Sequence, residues 1–220
     1  MATHIIFVHG LFMTGVEATP LRRHLARTLD ARTHSFAFLA TAERPESVAA
    51  RLARRIEAMA TRDVVHLVGH SFGGLIALRA FGELLCGAGV ATRRRPPGRV
   101  VLLGVPVTGS GAAAALARTA GLRHVLGRSR MALTSASPCP SAACEIGVIA
   151  GNRAAGLGRF LAHFHEPNDG TVAVRETLLP GAADRIVLPV SHTGMLLSRR
   201  VAHETAQFLR YGRFSLEASS

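Results

Sequence analysis

The sequence predicts the α/β class, with about six parallel strands flanked by helices on both faces. Two observations carry this expectation. Short β-type runs alternate with helical patterns from end to end, which is the signature of a parallel sheet covered on both sides. Hydrophobic residues make up 48% of the 220-residue chain, and no apolar run approaches the length that spans a bilayer, so the apolar residues belong to a globular core.

Strands are expected at His4–His9, Thr33–Leu39, Val64–Gly69, Arg99–Gly104, Cys144–Ala150 and Asp184–Pro189. Pro20–Asp30 carries Leu21, Leu25 and Leu29 at four-residue steps behind a Thr19-Pro20 start, the pattern of an amphipathic helix with proline in its first turn. Pro45–Ala60 repeats that pattern with Val48, Leu52, Ile56 and Met59. Further helices are expected from Phe72 to Cys86, Gly111 to Ala120 and Ser198 to Tyr211, with a short helical piece over Val172–Leu179. Residues 118–143 show no clear period and are rich in Ser, Pro, Arg and Gly, so they read as a variable excursion, either a plain surface loop or a partial cap. The length suits a single domain over residues 1–214, with a disordered tail at 215–220.

Composition narrows the function classes. The amino terminus, "MATHIIFVHG", lacks the basic start and apolar stretch of an export signal, so a cytoplasmic location is expected. Three cysteines, Cys86, Cys139 and Cys144, are too few for a disulfide framework, and "CPSAAC" lacks the second ligand pair of a metal site. The net charge is +12 and every basic residue is arginine. Codon bias explains that usage; a basic surface drawing an acidic carrier protein, a coenzyme A phosphate or an anionic lipid surface is the functional alternative. The arginines are scattered apart from "TRRRPPG" (Thr92–Gly98), and the lack of interleaved aromatics argues against nucleic acid.

Gly69-His70-Ser71-Phe72-Gly73 fits the G-x-S-x-G pattern, with a buried strand before it and a helix after it. In that context the glycines permit a sharp turn that lifts a serine hydroxyl to the carboxyl edge of the sheet. A nucleophilic serine needs a base and the base needs an acid. Chain order selects His192, just past the last strand, whereas His203 sits inside the last helix. Among Glu83, Glu145, Glu166, Asp169, Glu176 and Asp184, the turn "EPNDGTV" favours Asp169, with Glu166 next. Backbone N–H groups of Phe72 and Leu11 suit an oxyanion hole. His9 and His70 read as packed residues.

These blocks, "VHGLF" (Val8–Phe12), "GHSFGG" (Gly69–Gly74), "IGVIAGN" (Ile146–Asn152), "PNDGTVAV" (Pro167–Val174) and "LPVSHTGML" (Leu188–Leu196), resemble those of the α/β-hydrolase superfamily. Within it the chain resembles small bacterial lipases and esterases related to PGAP1-like lipases. The resemblance implies Ser71 as nucleophile, Asp169 as acid, His192 as base, and Leu11 and Phe72 as oxyanion donors. Full-size members carry two additional strands and a helical cap, so this chain is expected to be a minimal form with little or no cap.

The reaction expected is acyl transfer to water from a carboxylic ester, with Phe12, Met13, Val107, Met195 and Leu196 lining an acyl groove. A thioester on coenzyme A or on an acyl carrier protein is the alternative substrate, and a non-catalytic binding protein of the same fold is a third reading. No cofactor or metal is expected. "GSGAAA" (Gly109–Ala114) matches a loose dinucleotide pattern but lacks the acidic residue about twenty positions on, and "HFHE" (His163–Glu166) lacks further ligands.

Overall fold

The computed structural model describes residues 1–60, 63–86, 98–119, 124–135, 145–155 and 166–215. Six strands form one sheet: β1 (Thr3–Val8), β2 (Ala31–Phe36), β3 (Val64–His70), β4 (Val100–Leu103), β5 (Ile146–Gly151) and β6 (Asp184–Leu188). Their spatial order is β2-β1-β3-β4-β5-β6, and every neighbouring pair is parallel. The chain leaves β1 towards β2 and leaves β3 in the opposite direction towards β4. The carboxyl ends of β1 and β3 therefore flank a topological switch point, where loops diverge and leave a crevice.

Each face of the sheet is covered by helices whose apolar stripes match it. On one face lie α1 (Thr19–Leu29) and the last helix, Arg199–Tyr211, packed through Leu21, Leu25, Val201, Phe208 and Leu209. On the other lie α2 (Pro45–Ala60) and α3 (Phe72–Cys86), with Val48, Leu52 and Ile56 meeting Leu75, Ile76, Leu78 and Phe81. α3 is apolar nearly all round because it sits between the sheet, α2 and the 124–135 segment. Burying a side chain such as Phe72, Phe81 or Phe208 is worth about 2–3 kcal/mol each. Two shorter helices, α4 (Gly111–Arg118) and α5 (Arg130–Thr134), precede β5, which makes Arg199–Tyr211 α6.

Helix ends follow local chemistry. The Ser198 hydroxyl caps α6 by accepting from Val201 N at 3.3 Å, and Gly212 closes it at φ +75°. The Ser110 hydroxyl caps α4 through Ala113 N at 3.1 Å.

Two sequence expectations shift. β2 spans Ala31–Phe36 rather than Thr33–Leu39, because Asp30 adopts the left-handed conformation at φ 47° and delivers the chain into the sheet without a loop. Its far end stops at Phe36 because the partner strand stops at Val8. Within 118–143, the described part contains a 3-10 turn over Gly127–Ser129 and then α5, and Leu126, Ala132 and Leu133 join the core. Arg128 N bonds Thr41 O at 2.9 Å and Ser110 N bonds Leu133 O at 2.8 Å, which holds this segment over the carboxyl ends of β2 and β4. Cys139, Cys144, Thr92–Pro97 and His163–His165 lie outside the described residues. Among the described residues no helix is long and apolar enough to cross a membrane.

Candidate active site

Ser71 sits between the last residue of β3 and the first of α3, with φ +53°. A non-glycine residue in that region is strained, and here the surroundings leave no alternative. A Cβ on Gly73 would collide with the carbonyl oxygens of Val8 and His9, and one on Gly69 would stand 2.5 Å from Gly74 Cα. The turn is thus compressed against β1 and against its own helix, and Ser71 is the residue left at its apex, partly exposed. As the first residue of α3, Phe72 has an N–H with no acceptor in the preceding turn.

The loop leaving β1 passes directly over Ser71. A Cβ on Gly10 would stand 3.1 Å from Ser71 Cβ, and the next residue, Leu11, is partly buried against the core. The His9 ring stacks on Phe38 at 4.3 Å and 14°, and Phe38 packs on Phe72 at 6.1 Å, so the exits of β1, β2 and β3 are joined by one column of rings. Phe12 also has a positive φ, 58°.

His192, in the loop after β6, meets Asp169, in the turn before Thr171. The His192 Nδ1–H donates to Asp169 Oδ2 at 2.7 Å, and the His192 backbone N–H donates to Asp169 O at 2.9 Å. The other carboxylate oxygen of Asp169 accepts from Thr171 N at 2.9 Å and Val172 N at 2.7 Å. Asp169 is 1% exposed, so both oxygens are held by protein donors and Nε2 of His192 is left for other chemistry. The pair rests on Gly104, at the carboxyl end of β4 with φ +55°, where a Cβ would stand 2.9 Å from Asp169 Oδ2 and 3.1 Å from His192 Nδ1.

A sequence profile described as the alpha/beta hydrolase family matches residues 5–212. The chain belongs to the alpha/beta hydrolase family. Among solved structures, this hydrolase is similar to the mature lipase BlEst2 from Bacillus licheniformis, with a TM-score of 0.72 and 20% identity over 94% of this chain and 91% of that one. It is also similar to the phospholipase PlaB from Legionella pneumophila (TM-score 0.69, 14% identity, 99% of this chain, 60% of that one). A third is the thioesterase RedJ from Streptomyces coelicolor (TM-score 0.60, 15% identity, 96% and 86%). The hydrolase spans 52% of the propeptide form of BlEst2. At these identities the likeness concerns the fold. No curated protein matches the chain in sequence.

Two of the other candidate carboxylates of this hydrolase have partners elsewhere. Glu166 pairs with Arg175 at 2.7 Å. Glu176 is buried and accepts from Gly111 N at 2.6 Å and Ala173 N at 3.0 Å. Its burial raises the carboxyl above the usual range. Glu176 and Ser110 together occupy the α4 terminus within "GSGAAA", so that glycine-rich turn is a helix cap.

Of the expected groove residues, Phe12 is exposed and Met13 partly so. Val107, Met195 and Leu196 are buried in the core, and Leu196 borders a cavity between α1 and the start of α6. The Met195 methyl packs under Gly104 and Gly151, supporting the Asp169–His192 pair from below. Sequence reasoning missed what His70 contacts. Its Nε2–H donates to the His192 carbonyl at 3.0 Å, its ring lies 4.7 Å from that of His192, and its Nδ1 is buried without a partner. Burial, reinforced by His192, pushes His70 down to about 3, so it is neutral across the physiological range. Among the described residues no group of three or more His, Cys, Asp or Glu could hold a metal.

Proposed function

We propose that the protein is a carboxylic ester hydrolase, of the esterase and lipase kind, acting through Ser71, His192 and Asp169. The observation that carries this reading is the 2.7 Å bond from His192 Nδ1–H to a buried Asp169 whose other oxygen is already occupied. That bond fixes the imidazole tautomer with its lone pair on Nε2. His192 takes the Ser71 proton as the hydroxyl attacks the ester carbonyl, and the resulting imidazolium is stabilised by Asp169. The N–H groups of Phe72 and Leu11 receive the oxyanion. His192 then protonates the leaving alcohol, and water, activated by the same ring, releases the acid from the acyl-enzyme. The neutrality of His70 supports this role, because a second cation beside His192 would oppose proton uptake.

The reading places the protein in the cytoplasm, in the lipase and esterase group resembling PGAP1-like lipases. Its test is hydrolysis of short p-nitrophenyl esters together with fluorophosphonate labelling: both are expected in the native protein and lost in Ser71→Ala. Unchanged hydrolysis by that variant, in a preparation free of other esterases, would overturn it. A thioesterase acting on a coenzyme A or carrier-protein thioester is the second reading, favoured by the charge of +12 and by the fold shared with RedJ.

A further inference from the structure

We propose that the cavity between the start of α2, the middle of α3 and the 127–135 segment binds a phosphate group. This cavity, about 610 Å³, is separate from the Ser71 crevice and is lined by Arg44, Arg79, Arg128 and Arg130, with Glu46 as its one carboxylate. None of these four arginines forms an ion pair among the described residues, although elsewhere Arg51, Arg99 and Arg175 each find one.

The Nη1 of Arg79 is buried and has no hydrogen-bond partner. A buried guanidinium nitrogen without an acceptor is costly, and such a group calls for an occupant that supplies one. The cavity lining therefore holds four arginines against one carboxylate, and among common anions a phosphate, with several oxygens and up to two charges, matches that excess best. The first turn of α2, a 16-residue helix, faces the same space and adds partial positive charge.

The placement ties this cavity to the Ser71 crevice. α2 starts at the carboxyl edge of the sheet, and the 127–135 segment is bonded to Thr41 and Ser110 on that same edge. Arg79 lies seven residues beyond Phe72 in α3, which is about 10 Å along the helix. Resting on the ester- or thioester-hydrolase reading, this makes the substrate an acyl compound whose leaving half carries a phosphate several atoms from the scissile carbonyl. Two sources share that chemistry: a phosphate-bearing thiol and a phosphorylated glycerol.

Titration calorimetry at low salt tests the site directly. Inorganic phosphate is expected to bind saturably to the native protein and at least about tenfold more weakly to Arg79→Gln and to Arg128→Gln/Arg130→Gln, the latter on exposed positions that tolerate change. The control Arg54→Gln/Arg200→Gln removes the same charge from exposed positions outside the cavity and is expected to change affinity less than twofold. Absence of saturable binding, or equal weakening in all variants, would overturn the proposal in favour of a general charge effect. Coenzyme A in one arm and phosphatidylglycerol against phosphatidylcholine vesicles in the other identify the source by which binding inorganic phosphate displaces; displacement of neither overturns the proposal. The cavity variants should also lower kcat/KM for the phosphorylated acyl substrate more than for p-nitrophenyl butyrate. Phosphate binding in a protein without esterase activity would keep this site and remove the ester-hydrolase reading, whereas esterase activity without phosphate binding would do the reverse.

Discussion

The Nε2–H of His70 donates to the backbone carbonyl of His192 at 3.0 Å, so the residue before Ser71 is tied to the loop that carries the His192 imidazole. His70→Ala would leave that carbonyl without a donor, at a cost of about 1–3 kcal/mol, and would let the His192 loop relax. Displacements near 1 Å in such a site cost up to about 100-fold. The expected result is a fall in kcat on p-nitrophenyl butyrate of about 10- to 100-fold with KM little changed, partly recovered by His70→Gln, whose amide can donate. A lower melting temperature with kcat intact would reduce His70 to a packing residue.

Acid should destabilise the protein through buried histidines. Burial pushes His70 down to about 3, and burial aided by Arg99 pushes His66 down to about 4, whereas both start from 6.5 when unfolded. Between about pH 4 and 6.5 the unfolded chain binds more protons than the folded one, so stability rises with pH and is lost as pH falls through that window. Each imidazole contributes about 1.4 kcal/mol per pH unit there. Glu176 acts in the opposite sense within the same window: burial raises its carboxyl pKa above the unfolded value of 4.5, so from that pH upward the folded chain holds the extra proton and offsets part of the histidine effect. Melting temperatures should be level from pH 8 to 7 and drop below 6.5, and His66→Gln should roughly halve the slope. An unaltered slope in that variant would contradict this assignment.

Ser71 carries strain as well as a hydroxyl. Ser71→Ala keeps φ +53° and loses the proposed nucleophilic hydroxyl, so activity should fall at least about 10⁴-fold with stability near native. Ser71→Gly loses the same activity but relaxes the turn, for a gain of up to about 1 kcal/mol, or a few degrees in melting temperature. Calorimetry on both variants checks the difference. Equal melting temperatures would mean the turn stores nothing.

Gly104 separates space from conformation. Gly104→Ala places a methyl against Asp169 Oδ2 and His192 Nδ1 at a positive φ, and should cost both stability and about 100-fold in kcat. Gly82, in α3, has nothing within 4 Å of an added Cβ, so Gly82→Ala should stabilise by about 0.5–1 kcal/mol and leave kcat alone. Melting curves and kcat for both variants decide it.

What the sequence disclosed and what it hid divide along physical lines. The sheet and its helices were readable because periodicity is local, and five of the helices start within a residue of the expected position, at Thr19, Pro45, Phe72, Gly111 and Arg199. Asp169 and His192 could be paired on paper because chain order in a parallel sheet restricts which loops meet at the carboxyl edge. The early start of β2 was hidden because it depends on Asp30 turning left-handed, which no apolar pattern announces. Met195 looked like a groove residue because it is apolar and close to His192, yet burial depends on what lies beneath a loop, here Gly104 and Gly151. The bond from His70 to His192 joins a side chain to a backbone atom 122 positions away, and a carbonyl has no sequence signature.

The column of His9, Phe38 and Phe72 makes the Leu11 loop and the start of α3 a single mechanical body. On the proposed reading, the Leu11 and Phe72 N–H groups are thereby tied to each other through the protein rather than through the substrate. On that reading, the gap that would receive a developing oxyanion is set by how three rings pack.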